Sequence, residues 1–280
     1  MNMIADSSST KTDWAIFENQ NIIAQATTAG INPYFQARRE ISRVIRLGLP
    51  EDFFKQRYDK IFYYGAGCSN EAKSNIIKAS LTTQFRSHAI VESDLLAAAR
   101  SLFGSEAGIA CILGTGSNSC FYDGYTITKN VRAGGYILGD EGSAGSLGRM
   151  FLSDYVKGLV PDNLAEIFLL KTSLKPDDAL TEIYNRPTPN RFLGDIGYFL
   201  TDYTSMHYVE QLVVDNLRQF FVRNVCQYEY HNCKVRFVGL AAYRFPMELR
   251  RIAKEFDIEV DEIRDRSMDG LIQYHTMNPS

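Results

Sequence analysis

The sequence predicts an α/β protein made of two similar halves, and three observations support this fold class. The stretch "MIADSSSTKTDWAIF", residues 3–17, is typical of a strand, a tight turn and a second strand. Strand and helix patterns then alternate up to residue 107, which indicates a mostly parallel sheet. At Gly108 the pattern starts again, because "GIACILGTGSNSCFYDG" is also a strand, a turn and a strand. We therefore expect two duplicated α/β domains that face one another.

The first half contains five predicted strands and three predicted helices. After the hairpin, "IIAQATTAG" is a third strand, and the helix that follows is expected to have Asn32 as its cap and Pro33 at its first position. The remaining segments alternate as strand, helix, strand and helix: "DKIFYYGAGC", "NEAKSNIIKASL", "RSHAIVESD" and "LLAAARSLFG". This order predicts a hairpin joined to parallel strands.

The second half has the same beginning but a longer helical part. "YTITKNVRAGG" continues the strands, and residues 143–230 are predicted to be helical, with breaks at "SLKPDD" and "NRPTPNRFLGD". Next come a buried strand and turn, a helix, a short strand and a terminal helix: "KVRFVGLAAYRF", "PMELRRIAKEF", "DIEV" and "SMDGLIQYH". Phe168, Phe199 and Phe220 are expected in the core, although such side chains leave room for a homodimer face.

Composition excludes several classes of function. Apolar residues make up 45% and charged residues 22% of the 280 residues, as in globular proteins. A net charge of −3 and a pI near 5.9 argue against nucleic acid as the main partner. No leader pattern and no run of about 18 apolar residues occurs, so we expect a cytoplasmic protein without a membrane partner. The five cysteines lack C-x-x-C spacing, which fits a reducing compartment: Cys68, Cys111, Cys120, Cys226 and Cys233.

Two turns could hold phosphate. "GTGSNS", residues 114–119, directly follows an apolar strand, and its glycines and hydroxyls would expose polar groups at a strand's carboxyl end. In "DSSSTKTD" the small Ser8 and Ser9, the Thr10 hydroxyl and the Lys11 charge could contact phosphate. Taken alone, each turn could also be an ordinary hairpin. Neither is a Walker loop, because the chain has no G-x-x-x-x-G-K-[ST].

Three further features allow a structural or a functional interpretation. Gly239 follows a buried strand in "VGLAAYRF", where close packing is slightly favoured over contact with a nucleotide. Asp94 stands where a strand meets a helix, so it could be a helix cap or a general base for a substrate hydroxyl. The six glycines of residues 134–149 exceed what a helix start needs. This density favours backbone packed against a ligand or against another segment.

These motifs together resemble a known family. In order they are "DSSSTKTD", "AGINP", "VESD", "GTGSN", "GGYILGDEGSAGSLGR", "VGLAAYRF" and "SMDGLIQYH", from Asp6 to His275. The chain resembles the N-acetylglucosamine kinase branch of the sugar kinase, Hsp70 and actin superfamily, and the related BadF/BadG/BcrA/BcrD ATPases. The resemblance implies two ribonuclease-H-like (actin-like ATPase) domains, 1–107 joined by the last helix 268–280, and 108–267. It also implies that ATP and a small sugar bind in the cleft between them.

The resemblance also implies roles for individual residues. Asp94 would be the base that deprotonates the sugar hydroxyl, and Asp6 would hold Mg²⁺ through water. The residues implied to bind ATP and its phosphates are Ser8, Ser9, Thr10, Lys11, Gly114, Thr115, Gly116, Ser117, Gly239 and Leu240. Those implied to bind the sugar, besides Asp94, are Asn32, Asn118, Gly135 and Asp140. Positioning and charge neutralisation would then carry most of the catalysis.

Two residues depart from the family pattern. The family usually has D-G-G-G-T, and Ser8 replaces the most constrained of these glycines, at a cost of about 1 kcal/mol if φ is positive there. Leu240 stands where a small residue is common and could crowd the adenine. Two alternatives to a sugar kinase follow. One is an activator ATPase of the BadF/BcrA type, which would need paired thiolates for a shared cluster. Cys226 and Cys233, seven residues apart on a predicted helix, are the nearest approach to such a pair, and this spacing argues against the activator. The other is a protein that binds nucleotide or sugar with weakened catalysis.

Overall fold

The computed structural model describes residues 1–8 and 10–278, and these divide into two compact units. Unit 1 comprises Met1–Glu106, Gly124–Ile127 and Arg266–Ser280, and unit 2 comprises Ala107–Asp123 and Thr128–Asp265. Each unit contains one five-stranded sheet with helices packed on it. The α/β class and the actin-like ATPase fold predicted from the sequence are therefore confirmed. The boundaries of the two predicted domains, 1–107 with 268–280 and 108–267, stay a prediction.

Unit 1 is built on strands in the order β3-β2-β1-β4-β5. Their bounds are β1 Asn2–Ser7, β2 Lys11–Glu18, β3 Asn21–Ala29, β4 Ile61–Gly65 and β5 Ala89–Ser93. The first three strands pair antiparallel, and β1, β4 and β5 pair parallel. The helices are α1 Arg38–Gly48, α2 Asp52–Lys55, α3 Glu71–Phe85 and α4 Asp94–Phe103, and the terminal α13 is Met268–Met277.

Both faces of this sheet are buried, as the alternation of side chains along β1 requires. Met3 and Ala5 point into a core formed with α1 and α3, while Ile4 on the opposite face packs with residues of α4 and α13. A strand covered on both sides needs apolar residues at every position. This explains the uninterrupted "MIA" that leads to Asp6.

Unit 2 is built on strands in the order β10-β9-β6-β7-β8. Their bounds are β6 Gly108–Leu113, β7 Ser117–Tyr122, β8 Ile127–Val131, β9 Val235–Val238 and β10 Val260–Arg264. The helices are α5 Gly135–Leu138, α6 Ala144–Val156, α7 Asp162–Thr172, α8 Ala179–Asn185, α9 Pro189–Phe199, α10 His207–Arg223, α11 Leu240–Arg244 and α12 Pro246–Glu255. Short 3₁₀ turns complete the chain, at Pro176–Asp178, Leu200–Tyr203, Val225–Gln227 and Tyr230–Asn232.

The two sheets have the same topology. β6 corresponds to β1, since each begins a unit, pairs antiparallel with the next strand and pairs parallel with a strand that follows a helical insertion. The turn after β1 and the turn after β6 therefore occupy equivalent positions, each at the carboxyl end of a central strand. The repeat predicted from the two hairpins is present at the level of strand order.

Four local predictions differ from the structure. Asn32 does not cap α1, which begins at Arg38 after Ala37. Because its side-chain oxygen accepts from Tyr34 N at 3.0 Å, Asn32 closes a tight turn instead. The last strand lies three residues later than "DIEV", and Leu240 begins a helix instead of lying in a turn. Cys226 and Cys233 lie at two separate 3₁₀ turns and not on one helix.

The helical insertion of unit 2 supplies its core. Phe168 and Phe220 are fully buried, and Phe199 packs on Phe168 with ring centroids 5.2 Å apart. Phe168 and Phe220 are core residues and Phe199 is half-buried against them, while the homodimer stays a prediction. Within residues 1–8 and 10–278, no helix combines the length and the apolar character that a bilayer span requires.

Candidate active site

The first predicted phosphate loop joins β1 to β2 in unit 1. The strands stay in register up to the pair Ser7 and Thr12, whose hydroxyls lie 2.7 Å apart. The Ser8 side chain then fills the turn: its Oγ accepts from the backbone N–H groups of Thr10 and Lys11, both at 3.3 Å, and donates to Lys11 O at 3.1 Å. Ser9, also predicted to bind phosphate, lies outside the described residues.

The Ser8 backbone has none of the strain that a left-handed glycine position would impose. The described residues with positive φ other than glycine are Asn19, Arg86, Asp140, Ser173 and Asp257, and Ser8 is not among them. The strain of about 1 kcal/mol expected for a serine with positive φ is therefore absent at Ser8. What serine changes here is the hydrogen bonding, because its hydroxyl holds loop amides that would otherwise be available to a phosphate.

A group of carboxylates lies beside this loop. Asp6 and Asp13 face each other across β1 and β2, and Asp13 is held by Lys11 Nζ at 2.6 Å and by the Thr27 hydroxyl at 2.8 Å. Burial, followed by the charges of Asp94 and Asp13, raises the pKa of Asp6 to about 7, while Ser267 and Lys11 act in the opposite direction. The site thus holds more negative charge than its own cations neutralise.

This charge excess fits Mg²⁺, which the family resemblance implies. Among residues 1–8 and 10–278, no three His, Cys, Asp or Glu side chains are grouped to hold a metal ion directly. Magnesium usually keeps several waters and takes one or two carboxylates together with substrate phosphates, so a full protein cage is not required. Asp6 fits such a role, because a nearby cation would favour its ionised form.

Asp94 lies at the first position of α4, directly after β5. Ser93 is the cap of this helix, since its Oγ accepts from Leu96 N at 3.2 Å. Asp94 Oδ1 accepts from Leu95 N at 2.9 Å. Burial raises the pKa of Asp94 despite this bond. The capping role considered for Asp94 therefore belongs to its neighbour, and Asp94 is a half-buried carboxylate at the end of a strand.

Asn32 lies in the loop that follows β3. Its Oδ1 holds the Tyr34 N–H, and its N–H donates to Gln36 Oε1 at 2.8 Å. Among the described residues no hydrogen bond uses Asn32 Nδ2. A Cβ at Gly67, where φ is +80°, would lie 2.7 Å from Asn32 Oδ1, so glycine allows this close approach. The Asn32 side chain is thus fixed at its oxygen.

The second predicted phosphate loop, Gly114–Ser117, joins β6 to β7 in unit 2. Gly114 N donates to Gly116 O at 2.9 Å, which closes the turn. The carbonyls of Gly114 and Thr115 accept from the first amides of α6, Ala144 N at 2.9 Å and Gly145 N at 3.0 Å. The start of α6 is therefore satisfied by the loop itself.

Asp140 contacts this loop. Its Oδ1 accepts from Ser117 N at 3.2 Å, and a Cβ at Gly116 would lie 3.0 Å from its Oδ2. Its φ of +57° is left-handed, a conformation that Asp tolerates better than most residues. Burial, opposed by the Ser117 amide, raises the pKa of Asp140 to about 6. The structure thus brings together Gly116, Ser117 and Asp140.

The other predicted residues of unit 2 are less closely grouped. Asn118 Oδ1 accepts from Ser119 N at 2.9 Å and from Asn130 Nδ2 at 3.0 Å. Gly135, with a φ of +70°, begins α5 and has open space around its Cβ position. A Cβ at Gly239 would meet the carbonyl of Leu113 at the end of β6, so close packing explains this glycine. Leu240, which begins α11, is 39% exposed.

Sequence reasoning missed the residues that support the second loop. Gly145 and Gly148 on α6 face Gly194 and Gly197 on α9. A Cβ at Gly148 would collide with Leu193 O, and one at Gly197 with Ala144 O, so the helices touch through their backbones. The glycine density at residues 134–149 therefore serves helix packing in this part. The shared G-x-x-G spacing was the available signal, since residues three apart lie on one helix face.

A buried amide completes the support. Asn216 on α10 accepts from Gly142 N and donates to Ser143 O, both at 3.0 Å, and is almost fully buried. It joins the turn before α6 to the core. A single Asn in a helical pattern carries no signal of such a role.

Comparison with known proteins places this fold in a class. A scan against protein-family models and a search of curated proteins found no match. A proposed N-acetylglucosamine kinase of Chromobacterium violaceum superposes with a TM-score of 0.75 at 15% identity, over 98% of each chain. A ROK-family glucokinase of Streptomyces griseus, in complex with glucose and AMPPNP, has a TM-score of 0.65 at 13% identity, over 99% of this chain and 98% of its own. These similarities define the sugar kinase and actin-like ATPase fold.

A nearer similarity defines the family. The structure of a proposed N-acetylglucosamine kinase of Porphyromonas gingivalis matches with a TM-score of 0.95 and 38% identity, over 100% of both chains. The chain belongs to the same family, the N-acetylglucosamine kinase-like branch of the ATP-dependent carbohydrate kinases. The resemblance inferred from seven short motifs is thereby confirmed.

Proposed function

We propose that this protein transfers the γ-phosphoryl group of ATP to a hydroxyl of N-acetylglucosamine or a related amino sugar, with Asp94 as the general base. The observation that carries the proposal is the half-buried Asp94 carboxylate, which lies at the end of β5 and is free of the capping role that Ser93 performs. The 38% identity to the Porphyromonas gingivalis protein supports the amino sugar as acceptor.

Each proposed role follows from the chemistry of the side chain. Asp94 accepts the proton of the attacking hydroxyl, and its raised pKa makes it a stronger base than an exposed carboxylate. Asn32 would donate to the sugar through Nδ2, since its oxygen is already engaged. The sugar-binding roles of Asn118, Gly135 and Asp140 remain part of the proposal.

The phosphates would be held by the two loops. Thr10 would supply a hydroxyl and Lys11 a positive charge in unit 1, and residues 114–117 would supply hydroxyls and amides in unit 2. Gly239 and Leu240 would adjoin the adenosine. Mg²⁺, held near Asp6 through water, would neutralise phosphate charge.

The experiment is ADP release measured over a panel of amino sugars, compared with glucose, with Asp94→Asn as the variant. We expect sugar-dependent ADP release, and a loss of kcat of about 100- to 10,000-fold in Asp94→Asn. Nucleotide binding by calorimetry should persist in this variant, because Asp94 acts on the acceptor. Full activity of Asp94→Asn would remove Asp94 from the mechanism.

One observation favours a second candidate, a protein that binds nucleotide or sugar with weakened catalysis. The Ser8 hydroxyl occupies the amides of Thr10 and Lys11 in the first loop. The same assay separates the two functions. Sugar or nucleotide binding without ADP release from folded protein would support the second candidate, and absence of both binding and release would contradict both.

A further inference from the structure

The second phosphate loop rests on two helices that cross in direct contact. Gly148 and Gly197 allow this, because each lies where a Cβ would strike a carbonyl oxygen of the opposite helix. Both helices also touch the loop, and the residue they touch is Thr115. The Thr115 carbonyl accepts from Gly145 N at 3.0 Å. A Cβ on Gly145 would lie 2.7 Å from the same oxygen.

α9 contacts the side chain of Thr115. A Cβ on Gly194 would lie 2.8 Å from Thr115 Cγ2 and 3.5 Å from Oγ1. One turn further along α9, the Tyr198 side chain lies beside Thr115, and burial raises the pKa of Tyr198 while the Thr115 hydroxyl acts in the opposite direction. Thr115 is therefore held by α6 at its carbonyl and faces Gly194 of α9 with its methyl group.

We propose that α9 positions the second phosphate loop through Gly194, whose missing side chain leaves the space that the Thr115 methyl group fills. The proposal rests on the proposed function, because it takes residues 114–117 as nucleotide-binding. Gly194 and Tyr198 are positioning residues, since they act on the loop and not on the nucleotide. A shift of Thr115 would also move Gly114 and Gly116, which are joined by the hydrogen bond that closes the turn.

The central variant is Gly194→Ala. Helix propensity alone favours Ala over Gly, so any loss of binding must come from the new contact. A Cβ at 2.8 Å from Cγ2 must push Thr115 away by several tenths of an ångström. We expect the Kd for AMPPNP, measured by calorimetry, to rise on the order of 10- to 100-fold.

The second variant is Gly194→Ala combined with Thr115→Ser, which removes the methyl group that the new Cβ would strike and keeps the hydroxyl. The reference is Thr115→Ser alone, because Thr115 belongs to the loop, and we expect AMPPNP to bind the combined variant within a few-fold of its affinity for Thr115→Ser. A Kd for the combined variant that exceeds that of Thr115→Ser on the order of 10- to 100-fold would overturn the proposal, because the cause would then be general damage to the helix crossing.

Unit 1 offers a matched control. A Cβ on Gly48, the last residue of α1, would lie 2.7 Å from Thr28 Cγ2, so Gly48→Ala creates the same kind of contact outside the loop. We expect Gly48→Ala to leave AMPPNP binding unchanged. An equal loss of binding in Gly48→Ala and Gly194→Ala would overturn the positioning role of α9.

Amide resonances separate this proposal from the proposed function. In ligand-free protein, Gly194→Ala should shift the backbone amide signals of residues 114–117, and in the combined variant these signals should match those of Thr115→Ser alone. Matching shifts in a protein that binds no AMPPNP would contradict the proposed function and support the positioning role. Unchanged shifts and unchanged Kd in Gly194→Ala would overturn the inference.

Discussion

The two predicted phosphate loops occupy equivalent places in the two units but are held in different ways. The loop after β1 is exposed and holds itself, through the hydrogen bonds of the Ser8 hydroxyl within the turn. The loop after β6 is supported by packing, through α6, α9 and the glycines between them. The same sheet topology therefore allows a loop to be fixed either by local hydrogen bonds or by tertiary contacts.

The two loops also differ in the charge of the side chains beside them. Asp6, Asp13 and Asp94 leave the first loop beside an excess of negative charge, and Lys11 compensates only part of it. The second loop has Asp140, whose carboxylate is engaged by the Ser117 amide. The pKa of Asp140 is raised less than that of Asp6, so we expect pH to act mainly on unit 1 and expect mutations to affect unit 2 mainly through packing.

The largest expected effect comes from a substitution that separates α6 from α9, the two helices that support the second loop. In Gly197→Ala the added Cβ meets the carbonyl of Ala144, and backbone cannot give way as a flexible side chain can. We expect the free energy of unfolding to fall by about 3 kcal/mol, measured in urea. Asp195→Ala, on the exposed face of α9, is the control and should change it by less than about 0.5 kcal/mol. A similar small change in Gly197→Ala would show that the helices separate at little cost.

A smaller effect concerns charge at the first loop. Because the pKa of Asp6 is raised from 3.8 to about 7 on folding, the folded state binds the proton more tightly. The resulting stabilisation is present at low pH and is lost as pH rises towards 7. We expect Asp6→Asn to reduce the loss of stability between pH 5 and pH 8 by an amount on the order of 2 kcal/mol.

Denaturation of both proteins at the two pH values measures this difference. Asp59→Asn is the control, because Asp59 is 79% exposed. If the free energy of unfolding of Asp6→Asn depends on pH as that of the unsubstituted protein does, the ionisation of Asp6 does not contribute to stability.

The smallest expected effect is on AMPPNP affinity, and it tests whether the Ser8 hydroxyl keeps the first loop in place through hydrogen bonds within the turn. Ser8→Gly and Ser8→Ala both remove the hydroxyl that engages Thr10 N and Lys11 N, and only Ala keeps the Cβ. We expect AMPPNP to bind about fivefold more tightly to both variants, as the freed amides become available. Tighter binding in Ser8→Gly alone would assign the effect to crowding by the Cβ. Unchanged affinity in both would show that the hydroxyl does not compete with phosphate.

Local patterns sufficed where one segment carries the information. The apolar run before Asp6, the restart at Gly108 and the junction at Asp94 predicted strands, a repeat and a strand end that the structure contains. Local patterns failed where a residue type is common both at helix caps and in turns. Asn32 followed by Pro33 is typical of a helix start, but the Asn32 side chain closes a turn on Tyr34 and the helix begins at Arg38.

By itself, the sequence determined the α/β class, the repeated hairpin and the positions of both loops, because these depend on the spacing of apolar residues and on turn residues within short segments. Only the tertiary structure decided which groups meet. Gly194 meets Thr115, 79 positions away, and Asp94 lies near enough to raise the pKa of Asp6. Such contacts depend on how helices and strands pack, and the pattern of a single segment contains no information about its distant partner.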